Sequence, residues 1–334
     1  CQLKGAEVDS LFLTLTYINL FFQNLGDWLV VPMKLITNMG SEQFFMLAIP
    51  LLYWTINTQI GLRVGFMLLL SNGINTLFKF LFHQPRPFWV NPEVKAMVEE
   101  GSFGLPSGHA QNAASIWGVI AYSINKPWAT ALILLFILLT GISRIFLGVH
   151  YLTDVMAGWL IGLILLALFT RYESVVVKWF KTQNVINQVV IAVLSSFLFI
   201  ILPLFIKFLY QNWQVPQEWV MNASVAFPES KLDPYALSGS VTVAGTWVGM
   251  LLGLILLQAK SITYKPNGTI FKRILQLIIG LIGIIVLWMG LDQVFPDGET
   301  LIPALFRYIR YALVGIWVSA LAPLVFKALK LSRF

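Results

Sequence analysis

Hydrophobic residues run along this chain in long blocks broken by short polar clusters, with no sustained two-residue alternation. Stretches free of Asp, Glu, Lys and Arg cover 43–62, 64–78, 101–125, 127–143, 155–170, 182–206, 234–259, 274–291 and 311–326. A spanning helix needs about 20 mostly apolar residues, and Lys or Arg stems can snorkel at its ends. The pattern therefore predicts about nine transmembrane helices. Without period-two alternation a membrane β-barrel is not expected, and the fold class is all-α, a polytopic membrane helical bundle. A further run, 10–26, ends at Gly26-Asp27. A carboxylate in mid-bilayer costs about 2.5–3.5 kcal/mol on insertion scales. Residues 1–37 are thus expected to form an interfacial segment, with an amphipathic helix lying on the membrane.

Two longer polar stretches, 84–106 and 211–236, separate the blocks. Pro85, Pro87, Pro92 and Pro106 punctuate the first and make continued helix unfavourable. No fixed-period repeat is present. The expected organisation is one functional core, 38–170, followed by a four-span unit within 171–334.

Composition sharpens this picture. The chain is 58% hydrophobic and 11% charged, against about 25% charged in soluble proteins. That shortfall excludes a soluble enzyme and a disordered chain. The net charge of +7 bears on orientation, because Lys and Arg gather in cytoplasmic loops. Placing the loop after the first firm span inside puts Arg63, Lys126 and the groups Arg171–Lys181, Lys260–Arg273 and Lys327–Arg333 in the cytoplasm, while the acidic loops fall outside. The C-terminus is then cytoplasmic. The basic clusters fit anionic lipid headgroups, and nucleic acid is not an expected partner. Cys1 is the single cysteine, so the sequence holds no pair for an intramolecular disulfide and no Cys-based metal cluster. The chain opens without an initiator Met, which reads as a start in mid-sequence. No cleavable signal peptide is visible, and the first span is expected to serve as the targeting signal.

Three polar clusters interrupt the apolar background, all on the expected extracytoplasmic side. Lys79 ends one span and is followed by Arg86-Pro87; alone, such a pair fits ordinary snorkelling. Pro106-Ser107-Gly108-His109 opens the next span. Ser is a favoured N-cap, Gly admits close approach to the backbone, and a helix start attracts anions. Alone, this too fits an ordinary capped helix. Ser143-Arg144 precede His150 and Asp154. The last two are four apart, so on a helix they share a face, and the acid can fix the imidazole tautomer while the other nitrogen attacks. An ion pair of Arg144 with Asp154 is the plain alternative. Together the clusters supply three cations, two histidines and an orienting carboxylate. Metal-site signatures such as H-E-x-x-H are missing, so charge stabilisation would fall to Arg, Lys and backbone amides.

Lys79-x6-Arg86-Pro87, Pro106-Ser107-Gly108-His109 and Ser143-Arg144-x5-His150-x3-Asp154 resemble the three-part signature of the type 2 phosphatidic acid phosphatase family, which also includes the vanadium haloperoxidases. All eleven positions match. A second stretch, Asn38-Met39-Gly40-Ser41-Glu42 with Phe44-Phe45 and Pro50, is similar to the sphingosine-phosphate phosphatases and glucose-6-phosphatases, as is the nine-span layout. The glucose-6-phosphatase branch is not described as keeping an Asp where Asp154 stands, which favours a lipid phosphate over a sugar phosphate. The resemblance implies His150 as nucleophile, Asp154 as its support and His109 as acid and then base. It implies Lys79, Arg86, Ser107, Gly108 and Arg144 as phosphate ligands, and it implies no cofactor or metal. His83, inside the first motif, is expected to be interfacial filler, and Phe88 and Trp89 to lie in an aromatic belt. The expected activity is an integral membrane phosphatase acting on phosphatidate, phosphatidylglycerol phosphate, sphingoid phosphate or polyprenyl diphosphate at the outer face. A sugar-phosphate phosphatase, a transporter or binding protein with a degenerate core, and a haloperoxidase are the other readings. The expected partners are a phosphorylated amphiphile and membrane lipids.

Overall fold

The computed structural model describes residues 2–229, 232–298 and 300–332, without the side chains of 2–9, 42 and 43. Cys1, Lys231, Glu299 and Arg333, and the side chains of Lys4 and Glu42, lie outside the described residues. No strand occurs among the described residues. In order, the helices are α1 (Gln2–Gln23), α2 (Val30–Asn38), α3 (Glu42–Leu51), α4 (Thr58–Phe82), α5 (Pro87–Val90), α6 (Gly108–Asn112), α7 (Gly118–Ile124), α8 (Pro127–Phe146), α9 (Leu152–Thr182), α10 (Val185–Leu209), α11 (Gln217–Ala226), α12 (Ser238–Ala259), α13 (Ile270–Ile285), α14 (Leu301–Ile316) and α15 (Ala322–Ala328). An all-helical build follows from the solvent: in hydrocarbon a backbone must satisfy its own polar groups, and a helix does so within one segment.

Seven helical stretches are long and apolar enough to cross a membrane, and the chain is a multi-pass membrane protein. They cover seven of the nine charge-free runs. The other two runs, 43–62 and 101–125, fold as shorter or interrupted helices. Pro50 lies in α3, and a π-helical turn at Leu52–Ile56 follows it. A second such turn, Ala113–Trp117, separates α6 from α7. The lipid-facing side is visible on α10, where Leu194, Leu198, Ile201, Phe205 and Phe208 are all exposed at helical spacing.

The chain divides into two compact units, each assembled from separate segments. One comprises 1–44, 74–167 and 205–236; the other comprises 45–73, 168–204 and 237–334. In the second unit, side chains satisfy carbonyls at the π-helical turn Leu52–Ile56 and at another, Trp317–Leu321. Tyr264 Oη donates to Trp54 O at 2.7 Å, Trp54 Nε1 to Val318 O at 2.9 Å and Tyr53 Oη to Ser319 O at 2.7 Å. A π-turn breaks the regular ladder, and buried donors here make good the loss.

In the first unit, α9 presents a stripe of Asp154, Gly158 and Gly162 to the helix carrying the second motif. A Cβ at Gly158 would lie 2.6 Å from Ser107 O, and one at Gly162 2.6 Å from Gln111 O. Only glycine permits this approach, which brings the starts of α6 and α9 together. Within α1, Thr16 and Asn19 are fully buried while Leu11, Tyr17 and Phe21 are exposed, as are Ser10 and Thr14. One stripe of the helix thus turns two polar side chains toward protein.

Candidate active site

The three motifs lie at element boundaries of one unit: the C-terminal ends of α4 and α8 and the starts of α6 and α9. Pro87 occupies the first position of α5, where its fixed φ and missing N–H suit a helix start. Ser107 caps α6, its hydroxyl accepting from Ala110 N–H at 3.4 Å. The cap uses a lone pair and leaves the hydroxyl proton free to donate elsewhere. The N–H of Ser107 donates to Asp154 O at 3.0 Å, tying the second motif to the third.

Three cations gather around one segment of the 91–107 loop. Lys79 Nζ donates to Ser102 Oγ at 2.7 Å. Arg86 is fully buried and donates to Ser102 O at 2.6 Å, Ser102 Oγ at 3.1 Å and Val149 O at 2.9 Å. Glu100 bridges two guanidiniums, taking Arg86 Nη2 on Oε2 at 3.0 Å and Arg144 Nη2 on Oε1. Arg144 also donates to Thr37 Oγ1 at 3.0 Å, and its buried Nε–H has no acceptor among the described residues. Burial works to raise the Glu100 carboxyl, but Arg86, Arg144 and Lys79 outweigh it and hold the group well below the usual carboxylate range.

His150 is 1% exposed and lies just before α9. Its partnership with Asp154 therefore arises from a capping geometry, not from a shared helix face. Asp154, in the first turn, reaches back to accept Tyr151 N–H on Oδ2 at 3.0 Å, and the same oxygen meets His150 Nδ1 at 3.2 Å. Its other oxygen accepts Gln84 Nε2 at 3.0 Å. A carboxylate only accepts, so the imidazole carries its proton on Nδ1 and keeps a lone pair on Nε2. That lone pair faces Arg86 Nη1 at 3.2 Å, inside the cation cluster. Burial, then Arg86, Arg144, Lys79 and His109, push the His150 pKa well below its ordinary value, so the ring is neutral. His109 belongs to the same electrostatic neighbourhood and is partly exposed, on the second residue of α6. A Cβ at Gly40 would lie 3.6 Å from its ring, which places the 38–42 stretch beside it.

Several contributing residues carried no motif. Glu100, Ser102, Thr37 and Gln84 all lie outside the three sequence clusters. Asn19 donates to Ile145 O at 2.9 Å and His150 O at 3.0 Å, pinning both ends of the segment that carries the nucleophile candidate. The one available signal was a buried-type polar residue within the apolar run 10–26. His83 stands apart from the cluster, packed among Tyr210, Trp213, Phe103 and Tyr235 at ring distances of 4.3–5.3 Å. Phe88 and Trp89 are core residues, not belt residues. They are 2% and 0% exposed because α11 folds over them, with Trp219 against Trp89 and Asn222 Nδ2 donating to Trp89 O.

Among the described residues, no group of three or more His, Cys, Asp or Glu is placed to hold a metal ion. The arrangement is a cluster of three cations, two of them bridged by Glu100, with a neutral, oriented imidazole at its edge.

Family models and known proteins match parts of this chain. The PAP2 superfamily model matches residues 60–178, and the model of the PAP2 superfamily phosphatase transmembrane extension matches 241–333. Phosphatidylglycerophosphatase B of Bacillus subtilis is 31% identical over 159 residues, 44% of this chain and 76% of that protein. Sphingosine-1-phosphate phosphatase 1 of Mus musculus is 25% identical over 89% of this chain and 71% of its own length. A solved transmembrane PAP2-type phosphatidylglycerolphosphate phosphatase from Bacillus subtilis is 28% identical, covers 48% of this chain and 85% of that one, and has a TM-score of 0.42. With such identity across three quarters of a relative, this chain belongs to the PAP2 superfamily.

Proposed function

We propose that the protein is an integral membrane phosphatase releasing phosphate from a lipid phosphomonoester or diphosphate through a phosphohistidine. The observation that carries this reading is His150, with Nδ1 on Asp154 and the Nε2 lone pair directed into a cluster of three cations. In the first step Nε2 attacks phosphorus in line, a P–N bond forms and the bond to the leaving oxygen breaks. Burial and Arg144 lower the His109 pKa to about 3 in the absence of substrate, and a bound phosphate dianion offsets the cations, so that His109 enters protonated with the substrate and donates that proton to the leaving oxygen. In the second step His109 takes a proton from water, whose oxygen attacks phosphorus; the P–N bond breaks and phosphate leaves.

Lys79, Arg86 and Arg144, the Ser107 hydroxyl and the Gly108 amide hold the non-bridging oxygens. Their charge must be matched throughout a loose phosphoryl-transfer transition state. Asp154 fixes the tautomer and balances the positive imidazole that forms on attack. The charge distribution along the chain supports an extracytoplasmic or lumenal active site and a cytoplasmic C-terminus. The amphiphilic substrate class is supported by the many exposed apolar side chains and by two relatives whose names specify lipid phosphates.

The test is phosphate release by the purified full chain in detergent. The panel comprises phosphatidate, phosphatidylglycerol phosphate, sphingosine phosphate, a polyprenyl diphosphate and glucose 6-phosphate, each with and without EDTA. Preferred turnover of a lipid phosphate, undiminished by EDTA, is the expected result. Preference for the sugar phosphate would overturn the substrate class, and no release from any substrate would overturn the enzymatic reading.

A further inference from the structure

We propose that Glu100 is a resident counter-anion, occupying the phosphate's place on Arg86 and Arg144, which substrate must displace and which in turn expels product phosphate. The inference rests on the anion-binding reading of the site above. Its two carboxylate oxygens are divided between two guanidiniums, Oε2 on Arg86 and Oε1 on Arg144. That is the bridging contact two non-bridging phosphoryl oxygens would make with the same pair. The donors cannot serve both acids fully at once.

Two further features suit displacement. The Glu100 side chain is 21% exposed, whereas those of Arg86 and Arg144 are 0% and 2% exposed. The carboxylate therefore has a route outward while the guanidiniums stay fixed. Glu100 also sits in the irregular 91–107 segment and not on a helix, so a local backbone change can carry it away. The guanidiniums are also held from outside that segment, Arg86 by Val149 O and Arg144 by Thr37 Oγ1. They keep their positions when the carboxylate leaves.

The consequence is kinetic. A cluster of three cations that met no internal anion would hold inorganic phosphate tightly and release it slowly. A tethered carboxylate, always present at high effective concentration, competes for the same donors and lowers the affinity for both substrate and product. A purely structural Glu100, bracing the guanidiniums, would have the opposite effect, since its removal would disorder the cluster and weaken phosphate binding.

The sign of the change decides between the two. Binding of inorganic phosphate to the purified wild type, Glu100→Gln and Glu100→Asp would be measured by calorimetry, alongside KM and kcat on the best substrate of the panel. Glu100→Gln is expected to bind phosphate about tenfold more tightly or better, equivalent to about 1.4 kcal/mol. KM should fall with it, kcat should not rise, and Glu100→Asp should stay near wild type. Unchanged or weaker phosphate binding by Glu100→Gln would overturn the proposal. Should that variant not fold, the wild type carries the test alone: saturating orthovanadate should increase carbodiimide labelling of Glu100, and unchanged or reduced labelling would overturn it. Because phosphate binding is read without turnover, tighter binding in a chain that hydrolyses nothing would sink the phosphatase reading and leave this one standing. Active enzyme with unaltered phosphate affinity would do the reverse.

Discussion

Replacing His150 by alanine is expected to abolish phosphate release, with residual turnover lower by about 10⁴-fold or more, as when a covalent nucleophile is removed. The side chain is almost wholly buried, its Nδ1 is engaged by Asp154, and its Nε2 is the one nitrogen facing the cations. Alanine removes the attacking atom but leaves Lys79, Arg86, Arg144 and Glu100 in place. Phosphate affinity should therefore survive while kcat disappears. Steady-state assays together with phosphate calorimetry separate those two quantities. A variant that lost binding and turnover in equal measure would point to collapse of the cluster, and one that kept full turnover would remove His150 from the chemistry.

The second large effect is expected for Asp154→Asn, at roughly 10²–10⁴-fold in kcat, within the range seen when the acid that orients a catalytic histidine loses its charge. Hydrogen bonding survives this change. The amide oxygen can take the Oδ2 position, still accepting from His150 Nδ1 and Tyr151 N–H, while its NH₂ faces Gln84. Gln84 then needs only an amide flip to present its oxygen. What disappears is the negative charge beside the imidazole, just when attack makes that ring positive. The expected signature is a fall in kcat with little change in KM and in the thermal unfolding midpoint. An undiminished rate would show that orientation by hydrogen bonding, which the Asn retains, is all that Asp154 supplies.

The three clusters that the fold brings together were legible in the sequence because their chemistry is concentrated in few residues. Eleven residues in three short clusters already implied an anion, a nucleophile and an orienting acid, and the fold brings those clusters together in one unit. What the sequence hid were groups whose role depends on chain reversal. Thr37 meets Arg144 across 107 positions, and Asn19 meets the His150 carbonyl across 131. Glu100 and Ser102 lie in an irregular loop, where no periodicity betrays which way a side chain points.

Seven of the nine charge-free runs fold as long apolar helices, and the other two fold shorter for a related reason. Charge-free runs measure hydrophobicity and do not register Pro50 or the π-helical turns that shorten the helices near 43–62 and 101–125. The His150–Asp154 spacing suggested a common helix face, whereas the turn before α9 achieves the same contact by a carboxylate folding back on its own helix start. Phe88 and Trp89 suit an aromatic belt by residue type and position, but a helix more than 120 residues later in the chain covers them.

The most direct test of the central claim is to trap the phosphorylated enzyme. The purified protein would be mixed with its labelled substrate and quenched in alkali, where phosphohistidine survives, and the modified residue located by peptide mass spectrometry. A phosphoryl group is expected on His150 during turnover and none in His150→Ala. A phosphoryl group on His109 or on any other residue would contradict it.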